Sequence, residues 1–174
     1  MPANPDLMAD LLWLQTCYYF GDHATSDRKY DYLDEYLELI TALSPKWSYP
    51  YYFAGSIMAN EVGDIDKSIA FLDRAIENFP EKWQFQFYKG VYLMMYSKDL
   101  KKAAEAIHKA SMFSESPRYL KELSISLATR AGQKQLAYYY LKRSLKKTHD
   151  PAHKKILIEK FQKWFNDDYR PEME

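Results

Sequence analysis

Small and large apolar residues return along this chain in a fixed frame. Ser68, Leu72 and Ala75 stand at i, i+4 and i+7; the same small–large–small set recurs as Ala103, Ile107 and Ala110, and again as Ala137, Leu141 and Ser144. The step from set to set is 35 residues and then 34, and Leu33, Leu37 and Ile40 fit the frame 35 residues upstream. Such spacing marks one face of an α-helix, and its small members let a second helix approach closely. Self-similarity at this period predicts an array of helical hairpins. Helix punctuation agrees with it: Gly63 is placed to end one helix, Asp64 and Asp99 to cap the next, and Ser116-Pro117 and Asp150-Pro151 each set a capping side chain before a first-turn proline. The predicted helices are 6–20, 28–43, 48–62, 64–79, 83–97, 99–113, 117–131, 133–147 and 151–166, four pairs and a closing helix, with no strand pairing.

These residues resemble the tetratricopeptide repeat family, whose unit of about 34 residues carries an aromatic and a small residue in its first helix, a Gly-Asp turn, an Ala–large–Ala column in its second helix and a closing proline. Gly63-Asp64, Ala75 and Pro80 match in the second unit, and Asp99, Ala103 and Ala110 in the third. The resemblance covers roughly residues 10 to 150. It departs from the family where Tyr51, Ala54 and Gly55 fit only with one extra residue before Gly63, and where "GDHATSDRK" (21–29) lengthens the first inter-helix loop. The opening "ADLLWLQTCYYFG" resembles short bacterial members of the family, some of which carry an export or membrane-anchor segment.

The fold this implies is an all-α, right-handed α-solenoid of about four helix pairs with a C-terminal capping helix, in one domain spanning 1–174. Its units would be 6–45, 46–80, 81–115 and 116–149, closed by the helix 150–168, where Ile156, Phe161, Trp164 and Phe165 cover the last pair and Lys154, Lys155, Lys160 and Lys163 face solvent. Members of the family bind partners through side chains spaced along the first helix of each pair. Carried over, that path is Tyr18 and Asp22 in the first unit, Tyr52, Ser56 and Asn60 in the second, Phe87, Val91 and Met94 in the third, and Lys121 and Ile125 in the fourth.

Composition narrows the picture. The 174 residues are 47% hydrophobic, which excludes a disordered chain, and hold only five glycines, too few for a sandwich of tight turns. The single cysteine, Cys17, excludes an internal disulfide and reads as a small core residue. Neither a leader pattern nor a membrane span is expected, because the apolar run 11–20 is too short to cross a bilayer. That leaves a cytoplasmic or an envelope-associated location open.

Charge is zero overall but polarised. Residues 1–100 carry 8 basic against 15 acidic residues, and residues 101–174 carry 16 against 9. Between Arg118 and Lys163, twelve basic residues face three acidic ones. This end suits an acidic partner, and the opposite halves allow head-to-tail self-association.

Chemistry is sparse. No glycine-rich phosphate loop, nucleophile elbow or HExxH is present. His149 and His153 stand four apart, but Pro151 sets His149 ahead of the helix, so capping or surface roles fit them better than a metal. His23 beside Asp22 reads as a loop contact, and Asp34, Glu35 and Glu38 as a solvated face. The aromatic-rich segment 81–99 reads as a central helix with Phe85, Tyr88, Tyr92 and Tyr96 on one packed side, leaving Phe87 and Met94 to reach the groove. No cofactor and no catalysis are expected. The function implied is protein–protein binding as a scaffold or adaptor; a stably bound accessory subunit or assembly factor of a bacterial envelope complex is the rival. RNA reading by helical repeats is weaker, because the basic residues gather at one end instead of lining every unit.

Overall fold

A computed structural model describes residues 4–165. Among them every regular element is helical: α1 (Pro5–Thr25), α2 (Leu33–Leu43), α3 (Ser48–Ile57), α4 (Ile65–Asn78), α5 (Trp83–Tyr92), α6 (Leu100–Ser111), α7 (Tyr119–Arg130), α8 (Lys134–Lys147) and α9 (Pro151–Phe165). The all-α expectation therefore holds. The chain forms two compact units, Met1–Phe85 and Gln86–Glu174, with the division falling inside α5.

In the first unit the repeat column forms the core. Leu33, Leu37 and Ile40 of α2 and Phe71, Leu72 and Ala75 of α4 are buried. Gly55 of α3 is set so close to α4 that a Cβ there would lie 2.9 Å from Leu72 Cδ2, and Ser68 Oγ donates to Gly55 O at 2.6 Å. Tyr51 is buried with its hydroxyl near the carbonyls of Thr41 and Pro45. The acidic face of α2 is not merely solvated: Asp34 pairs with Lys67, and Glu38 holds Arg74 through both guanidinium nitrogens. These exposed pairs fix register more than they stabilise.

The second unit repeats the device. Gly90 of α5 meets Ile107 of α6, 35 residues beyond Gly55 and Leu72, and a Cβ at Gly90 would lie 2.6 Å from Ile107 Cγ1. Ala103, Ala110, Ile125, Ala128, Ala137 and Leu141 fill the space between α6, α7 and α8. Asp64 and Asp99 cap as expected, accepting from Lys67 N at 2.9 Å and Lys102 N at 3.0 Å. Asp150 caps α9 by accepting from Ala152 N, whereas Ser116 spends its hydroxyl on Phe113 O and α7 starts without a side-chain cap.

The extra residue expected before Gly63 has a structural place, and α5 carries its counterpart. Both α3 and α5 finish in a π turn, Met58–Val62 and Leu93–Ser97, which widens one turn to take one more residue than an α-helix. Each 35-residue step contains such a turn; the 34-residue step crosses α7, which has none. Directly after each π turn the chain reverses through a left-handed residue, Gly63 at φ 79° and Lys98 at φ 55°, and Gly132 does the same after α7 at φ 72°. Of these three only Lys98 carries a side chain; Arg28, also at φ 55°, is the other non-glycine residue in that conformation. We expect Lys98→Gly to stabilise the protein by about 0.5–1 kcal/mol in urea unfolding, because relief of left-handed strain exceeds the added freedom of the unfolded chain; a loss of stability would refute this.

Several expectations change. α1 runs to Thr25, past Gly21, because Thr25 and Ser26 hydroxyls donate back to the Gly21 and Asp22 carbonyls and Arg28 N closes onto His23 O. His23 is thus on the last turn of a helix, its Nδ1 2.6 Å from Asp27 Oδ1, and not in a loop beside Asp22. α2 begins five residues later than expected, after a loop that buries Tyr30. On α9 it is Leu157 and Phe161 that are buried while Ile156 is exposed; Lys154, Lys155, Lys160 and Lys163 face solvent. The Phe165 side chain and residues 166–168 of the expected capping helix lie outside the described residues. In the aromatic-rich segment Phe85 and Tyr92 are buried, but Tyr88 and Tyr96 lie at the surface, as the ends of an i, i+4 tyrosine ladder with centroids 6.2 and 6.1 Å apart.

Candidate interaction surface

α1 is apolar around most of its circumference. One side is covered within the first unit: Ala9 and Thr16 are fully buried, Trp13 sits edge-on among Trp47, Tyr49 and Phe53 at 5.2–5.5 Å, and Phe20 packs on Tyr30 and Phe53. Thr16 satisfies its buried hydroxyl by donating to Leu12 O at 2.7 Å. The opposite side is bare. Leu7, Leu11, Leu14 and Tyr18 follow one another at i, i+4, i+7 and i+11 and are 55, 59, 66 and 79% exposed. Met8 extends the strip at its edge. A helix apolar all round belongs between neighbours on both sides, and a contiguous strip of this size on a soluble surface marks an interaction site more often than chance.

Charge frames the strip. Asp6, Asp10 and Asp22 are exposed on α1, and residues 4–27 contain no lysine or arginine. Cys17 is also exposed, contrary to its expected place in the core, since it falls on the solvent edge one turn above Leu14 and Trp13.

The sequence-derived groove residues fare unequally. Tyr18 and Asp22 both lie exposed on α1, Tyr18 within the strip. On α3, Tyr52 is half-buried and stacked on Phe85 at 4.2 Å and Ser56 is half-buried, and on the π turn that follows Asn60 is exposed with its amide donating to Ser56 O and Oγ. Those three follow one another along one side of a helix. Phe87, Val91 and Met94 are half-buried on successive turns of α5 and its π turn. Ile125 is fully buried in the second-unit core and offers no surface to a partner; its apolar character belongs to the packing between α7 and its neighbours. Lys121 is half-buried and donates to Thr148 Oγ1 at 3.3 Å, facing the α8–α9 turn. Leu7, Leu11 and Leu14 escaped the sequence reading, although their spacing with Tyr18 was available in it.

Among the described residues no cluster of three or more His, Cys, Asp or Glu side chains is arranged to hold a metal ion, and no helix is long and apolar enough to cross a membrane. No protein-family model and no curated protein sequence matches the chain.

Proposed function

We propose that this chain is a non-enzymatic scaffold or adaptor of the tetratricopeptide type, a right-handed α-solenoid that binds a segment of a protein partner. The repeated Gly55–Leu72 and Gly90–Ile107 contacts, the matched Asp64 and Asp99 caps and the matched π turns support a modular helical array. The observation that carries the binding reading is the bare strip Leu7, Leu11, Leu14, Tyr18. Its helical spacing fits an amphipathic helix laid along α1, with anchors of the same period. The acidic border and the absence of basic residues on α1 select a partner helix with lysine or arginine flanking its apolar face. The wholly aliphatic and aromatic character of the strip favours a long-lived contact, which gives the accessory-subunit reading its support. Tyr52, Ser56, Asn60, Phe87, Val91 and Met94 would extend contacts along the first helices of the second and third units.

The test compares wild-type chain with Leu11→Asp/Leu14→Asp in affinity purification from the native host. Both leucines are already solvent-facing, so unfolding stability should shift by no more than about 0.5 kcal/mol. Capture of the partner should fall at least about tenfold in the double variant, since two charges would be buried against an apolar face. In the recovered wild-type complex, alkylation of the unique Cys17 should be slowed. Equal capture by both proteins, or capture with Cys17 as reactive as in the free chain, overturns the proposal.

A further inference from the structure

The second unit contains a cavity of about 530 Å³ where the loop after α6 meets the turn between α8 and α9. Arg118, Lys121, Lys147 and Asp150 are the charged groups that line it. Arg118 and Asp150 neutralise each other, Nη1 to Oδ2 at 2.8 Å. That leaves two ammonium groups, Lys121 and Lys147, with no carboxylate partner among the described residues. Lys121 is held in place by Thr148, whose own hydroxyl is committed to Ser144 O at 2.8 Å. Burial, with Arg118 and Lys147 close by, pushes the Lys121 ammonium below the usual lysine range. A partly buried cation beside a second cation, neither with a carboxylate partner, is an arrangement that an anion would relieve.

His153, on the first turn of α9, also lines the cavity and is 6% exposed, while its Nε2 is turned to Glu122 Oε1 at 3.6 Å, a carboxylate that Lys160 also engages. The remaining wall is mixed, with Met112 and Phe113 beside Ser114.

We propose that this cavity binds the phosphoryl group of a small phosphate monoester. Two uncompensated lysines match a group that is close to dianionic at neutral pH, where a single carboxylate would leave one of them unpaired. The cavity falls in the size range of small-molecule sites and far exceeds a bare phosphate, so the organic part of the ester rests against Met112 and Phe113. Lys121 and Lys147 contact the phosphoryl oxygens. The inference rests on the second unit alone and does not depend on the partner-binding reading of α1.

Calorimetric titration of the full chain with phenyl phosphate and with inorganic phosphate tests it. Both should bind at low salt, phenyl phosphate more tightly, and each should weaken about tenfold or more in Lys121→Met and in Lys147→Met, as loss of a charge-assisted contact predicts. Lys147 is exposed, so its variant reports on the site even if Lys121→Met perturbs folding. Absence of binding, equal binding by Lys147→Met, or tighter binding of glutarate than of phenyl phosphate would overturn the assignment. A flotation arm with phosphatidic acid vesicles separates a free ester from a lipid headgroup: flotation without phenyl phosphate binding also overturns it.

Discussion

Gly90→Val is expected to destabilise the protein by about 3 kcal/mol in urea unfolding, while Gly21→Ala stabilises it by up to about 1 kcal/mol. Both glycines lie within helices, so propensity alone predicts a gain at each. The difference is what a side chain would meet. At Gly21 nothing lies within 4 Å of an added Cβ. At Gly90 a Cβ would stand 2.6 Å from Ile107 Cγ1, 2.7 Å from its Cδ1 and 3.2 Å from Ala103 O. Ile107 is 1% exposed and branched at Cβ, so it has no free rotamer into which to retreat. The helices must part, and the buried column parts with them. Gly55 provides an internal comparison. There the nearest atom is the far end of a more flexible Leu72, at 2.9 Å, so Gly55→Ala should cost less than Gly90→Ala. Combining Gly90→Ala with Ile107→Ala should recover part of the loss of Gly90→Ala, giving a favourable coupling between the two sites. Equal stabilities of Gly21→Ala and Gly90→Ala would mean that α5 and α6 are not in this close contact.

That close approach was legible in the sequence because it leaves a mark in composition: small residues at fixed intervals opposite large ones. The caps Asp64 and Asp99 were legible for the same reason, since each is a local bond between a side chain and a backbone amide three residues on. Even the π turns left a trace, as one residue too many in the frame between Gly55 and Ser68. What periodicity cannot state is which apolar face acquires a neighbour. Leu7, Leu11 and Leu14 carry the same pattern as a core stripe, and only the packing of α1 through its other side leaves them bare. Cys17 and Ile125 show the converse from each direction: a residue type common in cores lies at the surface, and a residue expected on a binding path is sealed inside. Lys121 was singled out for a groove and instead faces a cavity built by two loops distant in sequence. The loop geometry that assembles it follows from how the helices meet, which no local pattern encodes.

The chain should also lose about 2 kcal/mol of stability between pH 7.5 and pH 5, and His108 should account for it. His108 projects from α6 onto Tyr140 of α8, the rings stacked at 3.8 Å and 13° apart, and is 7% exposed. Burial, with Arg143 nearby, pushes its pKa down to about 4. Its Nδ1 has no hydrogen-bond partner to share an added proton. Because the folded pKa lies below the unfolded value of 6.5, the unfolded chain binds the proton first as pH falls. Stability is therefore complete above about pH 6.5, declines as pH drops toward 4, and levels off for this group below that. The carboxylate Asp99, whose pKa is held low chiefly by the Lys102 amide, adds its loss only at more acidic pH. The interval from 7.5 to 5 thus separates the histidine from that carboxylate. His108→Phe keeps a ring on Tyr140 and removes the proton site. It should lie within about 1.5 kcal/mol of wild type at pH 7.5 and lose most of the acid slope, so that at pH 5 its position relative to wild type improves by about 2 kcal/mol. Parallel pH profiles for the two proteins, or a His108 ring that titrates near 6.5 by NMR in the folded chain, would show that the α6–α8 contact admits water and that the packed stack is not where the pH sensitivity resides.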